Sequence, residues 1–410
     1  MSDSSKLSSP IGIKGIIAAV LVLVIIVLAV FGVIRYNSRI PEVKATLSTQ
    51  DIVVPGQLSV TFPDQSESAV GTDNFGVIAS SSDQTAIPIA SVAKIMTAYL
   101  VLKTHPLKHG EDGPSLTMTA KDVAGYEFAR QNNYSLLPVT LGEKLTERQL
   151  LEGLMLPSGN NIADTLGRWV AGSDEAFIAK MNETAQALGM TKTHYADASG
   201  ANEATVSNAV DQIKIAQEAM QDPVFREIVA MTQATLPVAG RVYNVNNMLG
   251  KHGIVGIKTG SGVIAGGCFV SAAPIVNGSE KHYVIVAVLG SRVANQNLQS
   301  ALDANAKILD QVQPQFKTYT LTSPANGYGK ITTPWHTDSA LELKQTIQVF
   351  GYPGMKVAYT IEPMAIKLPV AAGTEVATMK IKTGETVQNI SLTNKVQIDP
   401  PGFMWRLLRN

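Results

Sequence analysis

From Gly15 to Ile34 the chain is an unbroken run of apolar residues, with Lys14 before it and Arg35 and Arg39 after it. About 20 such residues in a helix match a hydrocarbon core of roughly 30 Å, so the run predicts a membrane-spanning helix over 15–35. A cleavable signal peptide has a shorter apolar core and a small-x-small site. Here Ala29-Val30-Phe31-Gly32-Val33 leads directly into Arg35 and Tyr36, which predicts an uncleaved signal-anchor behind a short cytoplasmic tail, 1–14. Residues 36–57 lack periodicity and hold Pro41, Pro55 and Gly56, as a stalk or linker does.

A folded domain is expected from residue 58 to residue 312. Val77-Ile78-Ala79 reads as a short strand, and Val92, Ile95, Met96, Tyr99 and Leu100 recur at helical spacing, which puts Ser91 at the start of a helix. Further helices are predicted over Thr146–Met155, Asn160–Val170, Asp174–Leu188 (closed by Gly189) and Val206–Met220. The period then changes to two. Strands are predicted from Gly253 to Lys258, Gly267 to Ala272 and His282 to Leu289, with a closing helix from Gln296 to Val312. Helices around an antiparallel sheet make an α+β domain. Beyond it, residues 313–410 carry short alternating runs such as Lys317–Leu321, Thr346–Phe350 and Lys356–Thr360, which predict a small all-β domain. Its last residues, Pro400 to Arg409, place aromatic and aliphatic residues beside two arginines. They read as a strand end, with contact to a membrane surface as the other use.

Charge and composition narrow the function. With 33 basic and 33 acidic residues, nothing points to nucleic acid. Cys268 is the only cysteine and the six histidines show no H-E-x-x-H spacing, so neither an internal disulfide nor a metal centre is expected, and no cofactor is implied. Cys268 itself, between Gly267 and Phe269, reads as a small buried strand residue.

The candidate chemistry lies in Ser91-Val92-Ala93-Lys94, Ser158-Gly159-Asn160 and Lys258-Thr259-Gly260. A serine hydroxyl needs a nearby base. Helical i to i+3 spacing sets Ser91 and Lys94 about 5–6 Å apart at Cβ on one face. Lysine serves as a base only when neutral, which burial and a second cation favour, and Lys258 is the candidate for that cation. The helix start at Ser91 also aims backbone N–H groups at a developing oxyanion. Ser158 and Asn160 sit between two helices, where a turn presents a hydroxyl and an amide to a cleft. Lys258 and Thr259, at the end of a strand, suit a substrate carboxylate and Gly260 permits close backbone approach, so the pattern points to a carboxypeptidase. Each tripeptide is weak alone. Lys382-Thr383-Gly384 repeats the third motif in the β-rich region, followed by Glu385-Thr386, and reads as a hairpin turn.

With their flanks, Pro88-Ile89-Ala90-Ser91-Val92-Ala93-Lys94, Leu154-Met155-Leu156-Pro157-Ser158-Gly159-Asn160-Asn161 and Gly256-Ile257-Lys258-Thr259-Gly260 resemble the signatures of serine-type D-Ala-D-Ala carboxypeptidases, the low-molecular-weight penicillin-binding proteins of peptidase family S11. Weaker likeness runs through Met181-Asn182, Ser199-Gly200, Asn246-Asn247 and the late Trp405-Arg406. The resemblance implies a β-lactamase/transpeptidase-like serine hydrolase domain over 58–312 and a C-terminal β domain. It implies that Ser91 forms an acyl-enzyme with the penultimate D-Ala of a peptidoglycan stem peptide, with Lys94 as base and Ser158 passing the proton to the leaving D-Ala. Asn160 would orient the substrate amide, Lys258 and Thr259 would hold the terminal carboxylate, and the N–H groups of Ser91 and Ser261 would form the oxyanion hole. β-Lactams would acylate Ser91 as mimics. The lysines and arginines flanking the apolar run slightly favour the opposite orientation, so a single-pass membrane protein with an extracytoplasmic catalytic domain is expected on functional grounds.

Two positions depart from the family pattern: Asn161 stands where many relatives carry an acid, and Ser261-Gly262 follows the K-T-G. A class A β-lactamase would need an E-x-x-L-N segment and a lipase-like hydrolase a G-x-S-x-G elbow, and neither is present between these motifs. A D,D-endopeptidase cutting cross-links and a non-catalytic wall-binding or β-lactam-binding protein are the remaining alternatives. The second has no need of an intact Ser91, Lys94, Ser158 and Lys258.

Overall fold

A computed structural model describes residues 12–48, 51–322, 327–383 and 386–409, so most of the expected tail over 1–14, Lys6 included, lies outside the described residues. The chain divides into two units. One holds Pro55–Thr318 with Phe350–Gly354, the other Met1–Val54, Tyr319–Val349 and Met355–Asn410.

In the first unit a five-stranded antiparallel sheet runs in the order Gly256–Gly262, Gly266–Asn277, Glu280–Ser291, Glu67–Thr72, Gly76–Ser80. Its central strands are apolar at almost every position because both faces are covered. Ile285, Ala287 and Leu289 pack into a helical cluster, while Val284, Val286 and Val288 pack under the closing helix Asn297–Val312, as the period of two requires. Asn305 fastens that helix: it accepts from Ser271 Oγ at 2.6 Å and donates to the Val286 carbonyl at 3.0 Å. Cys268 is buried on its strand.

On the opposite face the helix Lys94–Thr104 is apolar nearly all round, with Ile95, Met96, Ala98, Leu100, Val101 and Leu102 buried. Such a helix belongs in an interior. It touches the helices Glu147–Met155, Asn160–Ala171 and Ala209–Gln221. The serine motif thus leads into a helix that its neighbours surround.

Several expected boundaries shift for local reasons. The helix expected from Val206 starts at Ala209, because Val206 and Ser207 pair with Pro88 and Ile87 as a short strand and Asn208 caps the helix, accepting from the Asp211 N–H at 2.8 Å. The strand expected from Gly253 begins at Gly256, since His252 and Gly253 both take positive φ in a turn. It then runs on to Gly262, so Lys258-Thr259-Gly260 is internal to a strand. Two helices were not foreseen. Ala120–Gln131 opens with a Thr119/Asp122 capping box, and Pro223–Ala230 opens with Asp222 as cap and proline at its first position.

In the second unit the helix Ile13–Asn37 has no buried residue over 25 residues, about 37 Å of helix. A seven-stranded antiparallel sheet runs Ala45–Leu47, Gly329–Thr333, His336–Leu343, Thr386–Asn394, Glu375–Thr383, Lys356–Pro363, Ile52–Val53. Its core includes Val43, Ile331, Leu341, Val376 and Ile398. Residues 36–57, expected without regular structure, therefore supply both outermost strands of this sheet. Two- and three-residue strands are too short for periodicity to reveal. The expected runs at Lys317, Thr346 and Lys356 are strands. Thr383 of the second K-T-G pairs with Thr386, and the intervening Gly384 and Glu385 lie outside the described residues. The last described segment is not a strand end but a short helix, Phe403–Leu408, whose Phe403 ring lies 5.7 Å from that of Tyr36 and whose Arg406 lies over the Tyr36 ring.

Candidate active site

Ser91 is the second residue of a 3-10 turn, Ala90–Ala93, that feeds the buried helix. Ala90 takes φ +47°, a left-handed conformation that a Cβ makes costly, by about 1–3 kcal/mol. Two glycines let the surroundings close on this turn. A Cβ on Gly200 would lie 1.8 Å from the Ala90 carbonyl oxygen, and one on Gly260 would lie 3.0 Å from both the Ile89 oxygen and the Ser91 nitrogen. The K-T-G strand therefore runs against the Ser91 turn because its third residue lacks a side chain. That strand is the edge of its sheet.

Lys94 follows one turn after Ser91 and is wholly buried. Its Nζ lies 2.8 Å from Ser91 Oγ, 2.7 Å from Asn160 Oδ1 and 2.9 Å from the Ser199 carbonyl oxygen. Two of these neighbours only accept, and the third is a hydroxyl that can donate. A neutral amine fits this set completely: two N–H bonds serve the two carbonyl oxygens, and the lone pair faces the Ser91 O–H. Burial, and then the charge of Lys258, push Lys94 well below the usual lysine range, against the opposing pull of Asp197 and Asp164. Lys258 is itself buried and pushed down to about 7 by desolvation, with its Nζ donating to the Thr259 carbonyl at 3.0 Å.

Ser158 stands on the turn between the helices Glu147–Met155 and Asn160–Ala171, at φ +66° and 3% exposed. Among the described residues its buried Oγ has no hydrogen-bond partner. A strained backbone carrying an unsatisfied hydroxyl costs stability twice over, which makes Ser158 a candidate site group.

Ser91, Asn160 and Ser261 line one cleft of about 430 Å³, between a lip at Asn132–Ser135 and a lip at Ser261–Ala265. Lys94, Ser158, Lys258 and Thr259 are buried, and Gly260 abuts the Ser91 nitrogen. Asn160 lines the cleft and also has a contact that was not expected, its amide oxygen accepting from the Lys94 amine. Asn161, where an acid was anticipated by resemblance, clamps the chain two residues beyond the first lip. Its Oδ1 accepts from the Leu137 N–H and its Nδ2 donates to the Leu137 carbonyl, each at 2.9 Å. A carboxylate has no donor for the second bond.

The residue-by-residue reading missed the Ser199 carbonyl and the device that aims it. Asp197 accepts from the Ser199 N–H, the Ser199 hydroxyl, the Ala201 N–H and the Thr205 hydroxyl, so one carboxylate folds the loop that touches Lys94. Ser199-Gly200 was visible as a weak family match, but a main-chain acceptor leaves no side-chain signal. Among the described residues no group of histidine, cysteine and carboxylate side chains is arranged to hold a metal ion.

The family model described as peptidase S11, D-alanyl-D-alanine carboxypeptidase, matches residues 64–292. The chain is similar to the D-alanyl-D-alanine carboxypeptidase of Streptomyces sp. (strain K15), 36% identical over 203 residues that make 45% of this chain and 67% of that one. It is similar to the D-alanyl-D-alanine carboxypeptidase DacB2 of Mycobacterium tuberculosis, 33% identical over 225 residues, 52% of this chain and 73% of that one. Among solved structures it resembles the Streptomyces K15 DD-transpeptidase, with a TM-score of 0.52 and 31% identity over 62% of this chain and 98% of that one.

Proposed function

The chain belongs to the peptidase S11 family of D-alanyl-D-alanine carboxypeptidases, and on that premise we propose that Ser91 is the nucleophile with which it removes the terminal D-alanine from peptidoglycan stem peptides. The observation that carries the assignment is the Lys94 amine, buried between two carbonyl oxygens with the Ser91 hydroxyl as its third neighbour. Lys94 Nζ takes the Ser91 proton as Oγ attacks the carbonyl carbon of the penultimate D-alanine. The oxyanion meets the N–H groups of Ser91 and Ser261. Ser158, with its idle hydroxyl, relays the proton to the leaving amine, and D-alanine departs. Water then attacks the ester, giving its proton back through Lys94, and the shortened peptide leaves with a new carboxylate. Lys258 and Thr259 hold the substrate's terminal carboxylate, which selects a chain end. A β-lactam opens on Ser91 by the same attack, and its leaving nitrogen stays tethered in the site.

Catalysis belongs to residues 58–312, which lie in the first unit, and of the β-rich region 313–410, expected as a separate domain, residues 313–318 and Phe350–Gly354 group with that same unit. The apolar helix Ile13–Asn37 is compatible with a single-pass membrane anchor. We place the catalytic unit on the extracytoplasmic side, because peptidoglycan is there.

Incubation with benzylpenicillin followed by peptide mass spectrometry is expected to find one covalent adduct, on Ser91, absent from Ser91→Ala. Labelling of another residue would overturn the assignment. Release of D-alanine from a stem pentapeptide tests the reaction, and turnover confined to cross-linked peptides would favour the endopeptidase.

Acylation needs Lys94 neutral and Lys258 charged. Burial and the neighbouring charge of Lys258 both push Lys94 well down, so Lys94 is the member of the pair that gives up its proton, while burial leaves Lys258 charged up to about 7. The acylation rate constant therefore rises with pH as Lys94 deprotonates and falls above about 7 as Lys258 neutralises, both limbs belonging to the coupled pair. Lys258→Arg keeps its charge at every pH and moves the falling limb upward. A stopped-flow profile that stays flat between about pH 8 and 10 would sink the requirement for charge at Lys258.

A further inference from the structure

The short helix Phe403–Leu408 packs on the last turns of the apolar helix Ile13–Asn37. The Phe403 ring lies 5.7 Å from that of Tyr36, the Arg406 guanidinium lies 4.9 Å from the centre of the Tyr36 ring, and a Cβ on Gly32 would lie 3.7 Å from Leu407. Arg409 closes the contact. It donates to the carbonyl of Ser38 at 2.9 Å and to those of Arg35 and Arg39 at 3.2 Å each, and Arg35 donates back to the Arg409 carbonyl. Arg35, Arg406 and Arg409 thus meet, with Arg39 beside them, from segments 370 residues apart in sequence. Carbonyl oxygens satisfy part of their N–H groups and none of their charge. Among the described residues no carboxylate forms an ion pair with any of the four, and Glu42, three residues after Arg39, pairs with Lys44 instead.

The surroundings of these charges are apolar. A helix of 25 residues exceeds a hydrocarbon core of about 30 Å by roughly 7 Å, so when Ile13–Asn37 spans, Arg35 and Tyr36 stand at the height of the headgroups. Phe403, Met404 and Leu408 are each more than 60% exposed, which extends the unburied apolar surface of the long helix onto the short one. The Trp405 ring lies 4.9 Å from that of Trp335 and 5.4 Å from the Arg409 guanidinium. Exposed apolar side chains beside tryptophan and unpaired arginine match the boundary between acyl chains and water. We propose that Arg35, Arg406 and Arg409, with Arg39, form a binding site for the phosphate of an anionic phospholipid, and that Phe403, Met404 and Leu408 enter the acyl boundary beside it. The arginine fork suits the oxygens of a phosphodiester. A headgroup without its own cation leaves that phosphate's charge to the protein, whereas a zwitterionic lipid brings a competing ammonium. The inference rests on reading Ile13–Asn37 as a membrane anchor and adds a second, lipid-selective point of attachment to it.

The test places the full chain in nanodiscs holding phosphatidylglycerol and phosphatidylcholine in equal amounts, with bromine on the acyl chains of one lipid or the other. Tryptophan quenching, read in a Trp169→Phe background that leaves Trp335 and Trp405 as emitters, reports which lipid lies beside the short helix. Brominated phosphatidylglycerol is expected to quench about threefold to tenfold more strongly at low salt, the contribution of one or two arginines near an anionic lipid, and the ratio shrinks in about 0.5 M salt. Arg406→Gln with Arg409→Gln brings the ratio to unity, whereas lysine at both positions keeps most of it. Benzylpenicillin acylation, expected to be unchanged, verifies that each variant is folded, and Arg406→Gln alone, expected to halve the ratio, keeps the test readable if the pair disturbs folding. Equal quenching by the two lipids in wild type, or a preference undiminished by the glutamines, would overturn the lipid site alone. Loss of the preference in about 10 mM inorganic phosphate at constant ionic strength would assign the site to free phosphate and overturn it as well. No quenching by either lipid would overturn the membrane reading and the site with it.

Discussion

Lys94→Met is expected to lower both covalent labelling of Ser91 and D-alanine release by about 10³- to 10⁴-fold, near the upper end of what a positioned base contributes. Methionine fills nearly the same volume in a fully buried position but leaves Asn160 Oδ1 and the Ser199 carbonyl without their donor, so thermal unfolding must accompany the kinetics. Lys94→Arg separates the two roles of the side chain. A guanidinium keeps the positive charge and can donate to both carbonyl oxygens, yet it does not deprotonate in a protein. It is expected to be as inactive as methionine while binding its two acceptors. Acylation by Lys94→Arg within about tenfold of wild type would remove Lys94 from the role of base.

The second large effect is expected at a residue with no side chain. In Gly200→Ala the added Cβ meets the Ala90 oxygen at 1.8 Å with φ at +78°, so either the loop or the nucleophile turn must give way. Overpacking and a left-handed alanine together are worth about 2–5 kcal/mol of stability, read as a fall in the denaturant midpoint. Because the same loop carries the Ser199 carbonyl and packs on Ala90, benzylpenicillin acylation is expected to fall by at least about 100-fold in molecules that remain folded. Gly76→Ala, whose Cβ meets nothing within 4 Å although its φ is +74°, supplies the control, with a cost near that of strain alone and acylation unchanged. Equal effects at both positions would show that conformational strain, and not the contact with Ala90, governs the site.

These expectations mark where the sequence was legible. Side-chain chemistry with a fixed spacing could be read: Ser91 and Lys94 share a helix face, so their meeting needed no tertiary information. The convergence of Lys258 could be anticipated from chemistry, because a lysine base demands a second cation. The packing on Ala90 could not. Gly200 lies far along the chain from it, and a glycine chosen for a close approach looks like any turn glycine. The Ser199 carbonyl was hidden for a related reason, since every residue has one and only the fold aims it. Boundaries failed where a cap competed with periodicity: Asn208 interrupts what Val206, Ala209, Val210 and Ile213 present as one apolar face. In the β-rich unit, strands as short as Ile52–Val53 carry too few positions for alternation to register.

The sheet of that unit has a consequence in biosynthesis. Ala45 pairs with Ile331 and Ile52 with Val357, so the two outermost strands are made before the unit that holds the serine and find their partners after it. The ribosome delivers the sheet in two instalments, with an entire folding unit between them. That intervening body, whose strands and helices pair within its own stretch apart from Phe350–Gly354, can gather as it emerges. The sheet must wait for its late strands, and its long-range closure belongs to the slow class of folding events. During that interval the early strands are unpaired edges, exposed to whatever lies beside the emerging chain.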